Sequence, residues 1–305
     1  MDVLSDLLQR AQATNALVRQ FIAQPPWSVT YDELPSLSVV AALGGCATLR
    51  IDDGAPATLA ANDIALITGV RSYTIADDPA TPSRYVIRGN TKYLDGRAVG
   101  PGEFHAPRTY GDGLGGTTIV RGVYDLRGAV GRRLLDLLPP VAIVPATDRT
   151  RPALSLLASE TAREEPGQDA VLRRLLDFVL VVALRAWWAG PDATPPSWYQ
   201  ALTAPGIGDA LRLLHDSPAH RWTVAELAAK VAMSRATFAA RFTELVGAPP
   251  LTYLTSWRMA LAADLLQDPA ATVASVARAV GYEDPFAFAV AFKRVHGLTP
   301  SAWRR

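Results

Sequence analysis

Residues 224–253, VAELAAKVAMSRATFAARFTELVGAPPLTY, and residues 273–303, VASVARAVGYEDPFAFAVAFKRVHGLTPSAW, are two copies of one pattern. Val224, Leu227 and Ala228 match Val273, Val276 and Ala277 at an offset of 49. Phe238, Phe242, Gly247 and Pro250 match Phe288, Phe292, Gly297 and Pro300 at an offset of 50. The slip of one residue falls where Ala232-Met233-Ser234 stands against Gly281-Tyr282-Glu283-Asp284. A turn there tolerates an insertion because it lies outside both flanking helices. Each copy reads as a short helix, a tight turn and a longer helix. Thr223 is placed as the N-cap of the first helix, with Glu226 at the spacing of a capping box. Ser234 is the capping residue of the second. Phe238 and Phe242 lie one turn apart and face inward, which leaves Ala236, Thr237 and Ala240 outward on the first turns. A helix over about Leu251 to Gln267 joins the copies. A helical hairpin duplicated only for packing would share part of this pattern. The matched Phe–Phe–Gly–Pro spacing about a connecting helix points instead to two helix-turn-helix units. In such units the outward N-terminal positions of the second helix enter the major groove of double-stranded DNA.

The rest of the 305-residue chain changes character twice. An amphipathic helix is expected from about Val3 to Phe21, stopping before Pro25-Pro26. From Trp27 to about Val120, short apolar runs (Ser38–Leu43, Thr48–Ile51, Asp63–Ile67, Tyr85–Ile87 and Thr117–Val123) alternate with Gly, Pro, Asp and Asn, the spacing of a small antiparallel barrel or sandwich. Asp52-Asp53-Gly54 is a hairpin-type turn. Beyond Pro139-Pro140 two helices are expected, Ala153 to Glu164 and Gln168 to Ala189. The second carries Leu172, Leu175, Leu176, Val179, Leu180, Ala183 and Leu184 on one face. Gly190–Pro196 reads as a linker. The fold class is therefore α+β: an N-terminal antiparallel β-barrel over 1–145, a helical linker over 146–205 and an all-α domain with two helix-turn-helix units over 206–305.

Net charge is +1, and it is unevenly spread: residues 1–145 and 146–205 are each at −1, while residues 206–305 are at +3. A positive C-terminal part is the direction a DNA-binding module requires. The single cysteine, Cys46, excludes an internal disulfide and any cysteine-based zinc site. It stands in an apolar Gly-Gly-Cys-Ala stretch and is expected to be a small buried side chain. No apolar run is long enough to span a bilayer, and the N-terminus lacks the order of a signal peptide, so no membrane association and a cytoplasmic location are expected.

Residues 206–305 resemble the AraC/XylS-type DNA-binding domain, through MSRATF (233–238), RFTELVG (241–247), WRM (257–259), VGY (280–282) and AFKRVHGLTPSAWRR (291–305). More loosely, residues 27–145 resemble the cupin sensor domain that often precedes it, through LGGCATLRIDDGAPATLAANDIALITG (43–69) and IADDP (75–79). The resemblance implies base contacts at Ala236, Ala239 and Ala240 in the first unit, and at Pro285, Phe286, Ala289 and Val290 in the second. Ser234, Thr237 and Asp284 flank them. Relatives often carry arginine where Ala240 and Val290 stand, so the bidentate guanine contact is missing here, and readout should favour thymine methyls. Arg235, Arg241, Arg258, Lys293, Arg294 and Arg304 are left to bind phosphates. Ser38 and Ser72–Tyr73 stand where cupin enzymes place metal-binding histidines. Only His105 remains in the region, so no metal, no cofactor, no catalytic residue and no enzymatic activity are expected. Arg121 stands where some related sensors carry a reactive thiol. Tyr31, Arg71, Tyr73, Tyr85, Arg88 and His105 are polar side chains available to a small-molecule effector. A homodimer, through the barrel or the Gln168–Ala189 helix, and RNA polymerase are further implied partners. Two other readings stay open: a cupin-type enzyme fused to a helical domain, and a DNA-architectural protein of low sequence preference.

Overall fold

Short apolar runs punctuated by turn residues fold into two sheets. A computed structural model describes residues 1–11, 14–89, 91–100, 106–113 and 115–304. The first sheet has the order β11-β1-β12-β3-β6-β13, with β1 Thr14–Ala23, β3 Leu37–Leu43, β6 Ile64–Thr68, β11 Thr109–Gly111, β12 Thr117–Asp125 and β13 Val141–Val144. The second has the order β10-β9-β8-β2-β7-β4-β5, with β2 Ser28–Asp32, β4 Ala47–Ile51, β5 Ala57–Leu59, β7 Ser72–Ala76, β8 Tyr85–Arg88, β9 Thr91–Leu94 and β10 Arg97–Val99. Pairing is antiparallel except β1 with β11 and β2 with β8. The cupin-like part is thus two sheets and not one closed barrel. Phe21, Tyr31, Val40, Leu49, Ile75 and Ile119 fill the space between them. The turn at Asp52-Asp53-Gly54 connects β4 to β5, and the Gly54 N–H donates to the Ile51 carbonyl at 2.8 Å.

Three expectations change. The N-terminal helix is short, α1 Val3–Arg10, and residues 14–23 are a strand in the interior of the first sheet. Val18, Gln20 and Phe21 are all buried there, so the run shows no strand alternation to the eye; Gln20 is tied to Thr109 Oγ1 at 2.8 Å. Cys46 is exposed, because Gly44 at φ 77 turns the chain before β4 begins. Helices α3 Thr150–Thr161 and α4 Gln168–Trp188 belong to the β-rich unit and are no linker. The predicted apolar stripe of α4 is buried except for half-buried Leu175, and Leu176 reaches so close to β12 that a Cβ on Gly122 would collide with it.

Contacts divide the chain into two units that do not follow the spans 1–145, 146–205 and 206–305: Met1–Gln12, Arg127–Leu137 and Pro195–Arg305 make one, Ala13–Leu126 and Leu138–Thr194 the other. The helical unit contains α1, α2 Gly128–Leu135, α5 Ser197–Ala201, α6 Ile207–Asp216, α7 Val224–Lys230, α8 Arg235–Val246, α9 Pro250–Leu265, α10 Val273–Ala279, α11 Pro285–His296 and α12 Pro300–Trp303. Its core joins Leu211, Leu227, Phe238, Phe242, Trp257, Phe288 and Phe292 to Val3 and Leu7 of α1 and Val130 of α2. Two polar ties hold the sequence-distant helices. The fully buried Asp6 carboxylate meets His215 Nδ1 at 2.7 Å and Arg10 Nε at 2.5 Å, and His215 Nε2 meets the Tyr253 hydroxyl at 2.7 Å. Asp264 of α9 accepts the N–H groups of Ala129 and Val130, capping α2 from outside its own sequence.

Candidate nucleic-acid interface

The two repeats take the same local geometry up to one residue. Met233 N–H donates to the Ala228 carbonyl at 2.9 Å, and Tyr282 N–H to the Ala277 carbonyl at 2.8 Å. These close the first helix of each copy through a left-handed residue, Ala232 at φ 54 and Gly281 at φ 82. The turns therefore coincide through Met233 and Tyr282, and the inserted residue is Glu283, whose carboxylate receives Arg221 Nη2 at 3.1 Å.

The caps decide where each recognition helix starts. Thr223 Oγ1 accepts the Glu226 N–H at 3.1 Å, but the Glu226 carboxylate turns to His220 Nε2 at 2.9 Å and leaves the expected box one-sided. The reciprocal box is in the second copy: Thr272 Oγ1 accepts from Ser275 N–H at 3.0 Å, and Ser275 Oγ from Thr272 N–H at 2.9 Å. A search for Glu or Gln at the third position overlooks it, because serine fills that role. Ser234 Oγ accepts the Thr237 N–H at 3.2 Å and starts α8. Asp284 accepts from Phe286 N–H at 2.9 Å and Ala287 N–H at 3.2 Å and starts α11. Both helices end at a left-handed glycine, Gly247 and Gly297.

With Phe238, Phe242, Phe288 and Phe292 fully buried, the opposite faces are exposed. On α8 these are Arg235, Ala236, Thr237, Ala240 and Arg241, with Ala239 half-buried. On α11 they are Pro285, Phe286, Val290, Lys293 and Arg294, with Ala289 half-buried. Phe286 is 76% exposed and Val290 56%, large apolar side chains left mostly in water. Arg235, Arg241, Lys293 and Arg294 are exposed and have no side-chain partner among the described residues, which leaves them available to phosphates. Arg258 is not of that kind. Its Nε donates to the Pro218 carbonyl at 2.6 Å and its Nη2 to the His220 carbonyl at 2.7 Å, so it braces the loop before α7. Arg304 is exposed and reaches the Pro269 carbonyl at 3.2 Å. The side chains of Ser234 and Asp284 are engaged with their own helix N-termini.

The β-rich unit carries a cavity of about 960 Å³, and none of the five described residues expected to meet an effector lines it. Tyr31 and Tyr73 are buried in the intersheet core, stacked with ring centroids 4.8 Å apart. Tyr85 packs edge-on against Phe21, Arg88 is exposed and paired with Asp32 at 3.2 Å, and Arg71 is exposed. His105 lies outside the described residues. The cavity wall instead includes Arg19, Lys92, Arg108, Tyr110 and Arg121, from β1, β9, the loop before β11, β11 and β12. Arg121 stands out in the sequence only at the position of a relative's thiol, and the other four not at all, because which alternating positions point inward is not legible there. No helix of the described residues is long and apolar enough to cross a membrane.

A cupin family model matches residues 2–189, and a helix-turn-helix domain model matches residues 227–305. A protein of Streptomyces antibioticus described as an AraC-like transcription regulator is 35% identical over 312 residues, spanning 100% of this chain and 99% of its own. The HTH-type transcriptional regulator AlkR of Acinetobacter baylyi is 29% identical over 316 residues, spanning 100% of this chain and 99% of its own. Among solved structures, the DNA-binding domain of AdpA, the global transcriptional factor, in complex with a target DNA is 33% identical; it covers 33% of this chain and 89% of that one, with a TM-score of 0.32.

Proposed function

The chain belongs to the AraC-type transcription regulators with a cupin-like N-terminal domain, and from that premise we propose a sequence-selective, effector-responsive regulator that reads DNA through α8 and α11. The observation that carries the reading is the pair of capped recognition helices, each with an exposed outer face and two unpaired cations. Those cations supply salt-dependent attachment to phosphates. Selectivity falls to the apolar contacts of Ala236, Ala240, Phe286 and Val290 with thymine methyls, and to DNA shape. The cavity of the β-rich unit supports effector binding: its volume is within the range of sites for small organic molecules. Homodimerisation is supported by Val171 and Phe178, exposed apolar residues of α4, and is read by the molar mass of the full chain in solution.

The test of selectivity is binding of the full chain to the DNA flanking its own gene and to random DNA at one fixed salt concentration. A footprint with at least a hundredfold preference supports a regulator, specific sites being typically 10³ or more tighter than random ones. Equal affinity for both would favour the low-preference architectural reading, which the alanine-rich face of α8 keeps in view.

A further inference from the structure

We propose that the cavity of the β-rich unit binds an organic carboxylate, with the Arg121 guanidinium as its charge partner; this rests on the reading of that unit as an effector domain. Four positions singled out in the sequence meet here. Arg121 Nε donates to the Tyr73 hydroxyl at 2.6 Å, and its Nη2 to Ser38 Oγ at 3.3 Å. Its guanidinium carbon lies 4.5 Å from the centre of the Tyr31 ring. All of these partners are neutral. Burial pushes the hydroxyls of Tyr31, Tyr73 and Tyr110 up, away from ionisation, and the Tyr31 and Tyr110 hydroxyls bond to each other at 2.5 Å. Arginine keeps its charge in any such setting. Among the described residues no carboxylate pairs with Arg121, and its Nη1 makes no hydrogen bond. Arg121 is half-buried, and a cation partly withdrawn from water without a counter-ion carries a cost that an anion in the cavity would remove.

The surroundings point the same way. Arg19 and Lys92 stand half-buried on the same wall, and both are held below their usual values by burial and by a neighbouring positive charge. Of the lining acids, Glu33, Glu164 and Asp169 are exposed, and Asp169 is taken by Arg108 at 2.7 Å. The half-buried Asp125 has an interaction of its own and makes no ion pair with Arg121. The Nη1 hydrogens and the second hydrogen of Nη2, beyond the one given to Ser38, leave Arg121 with donors for a planar carboxylate. Leu34, Ile87, Val123 and Leu172 supply apolar wall for the organic part of the ligand.

The full chain is titrated calorimetrically with octanoate and benzoate, with octanamide and benzamide as neutral counterparts, and with octyl phosphate. Binding of at least one carboxylate, with its amide at least tenfold weaker, is expected. Arg121→Gln should lower that affinity by roughly tenfold to a hundredfold, the worth of a charge-assisted hydrogen-bonded pair. Arg121→Lys should recover only part of it, because the ammonium lacks the fork. Should Arg121→Gln fail to fold, Lys92→Met, at the cavity wall and outside the core, is expected to weaken the carboxylate several-fold while leaving the amide unchanged. Equal binding of acid and amide, preference for octyl phosphate, unchanged affinity in both variants, or no binding by any compound would each overturn the carboxylate assignment. The effector reading fails separately: it is lost if neither these compounds nor a broader neutral library shifts melting or DNA affinity, and it survives if neutral compounds do so and carboxylates do not.

Discussion

Ala232 and Gly281 occupy the same left-handed turn position, and only one of them is suited to it. At φ 54 the Cβ of Ala232 crowds its own backbone, a strain of about 1–2 kcal/mol for an L-residue. Ala232→Gly should therefore raise stability in denaturant titration, by about 0.5–1 kcal/mol once the added freedom of the unfolded chain is subtracted. In the second copy the reverse holds. A Cβ on Gly281 would strike the Ala219 carbonyl, and Gly281→Ala should cost about 1–3 kcal/mol. Phe242 and Phe292 are fully buried, so each truncation to alanine should cost about 3–5 kcal/mol; unchanged melting would mean that the face was misassigned. At Ala240, exposed on the first turns of α8, Ala240→Arg should introduce a guanine preference and steepen the salt dependence of binding. Replacing thymine by uracil within the footprint should weaken the parent protein. Neutral uracil substitution together with decisive guanine substitutions would remove Ala240 and Val290 from the base-facing set. These positions were legible in the sequence because i,i+4 spacing fixes which face of a helix is buried. Arg258 was not: nothing local told that its donors would be taken by the Pro218 and His220 carbonyls.

At the scale of elements, helix α1 is held by one ionic knot. Burial alone would raise the Asp6 carboxyl, but the hydrogen bonds from His215 and Arg10 outweigh it and hold the group below 3.8. The unfolded chain then takes up the proton more readily than the folded one. The stabilising contribution of Asp6 is complete above its unfolded value near 3.8 and is lost as pH falls through the lower folded value. The helical unit should lose stability on acidification only below about pH 4. Asp6→Asn should lower stability at neutral pH and flatten that acid limb, compared by urea unfolding at a series of pH values; a limb as steep as the parent's would place the effect elsewhere. The element boundaries show why such contacts escape sequence reading. The caps at Thr223 and Ser234 are legible in the sequence because a cap is a contact across three residues. The expected helix over Val3 to Phe21 stops at Arg10 because residues 14–23 are paired on both sides, with β11 and β12, and a strand in a sheet interior need not alternate.

The whole molecule is not laid out in sequence order, and that changes what a DNA-binding fragment should be. A cut at residue 206 discards Ala201, fully buried in the helical core, and any cut at 195 still discards α1 and α2. Residues 195–305 retain both helix-turn-helix units but leave His215 without Asp6 and Asp264 without the α2 N–H groups it caps. The fragment 195–305 should bind DNA and melt several degrees below the helical unit of the full chain. A fragment as stable as that unit would show that α1 and α2 add nothing to it. The sequence by itself determined the α+β division, the two helix-turn-helix units, their connecting helix and the outward faces of α8 and α11, because each depends on periodicities, caps and turns spanning a few residues. Tertiary structure alone decided that Asp6 meets His215 at a separation of 209 residues, that α3 and α4 join the sheets, and that Arg121 meets Ser38 on the adjacent strand and Tyr73 of the other sheet. Those pairings are set by strand order and by which surfaces burial brings together, and a linear pattern carries no record of either.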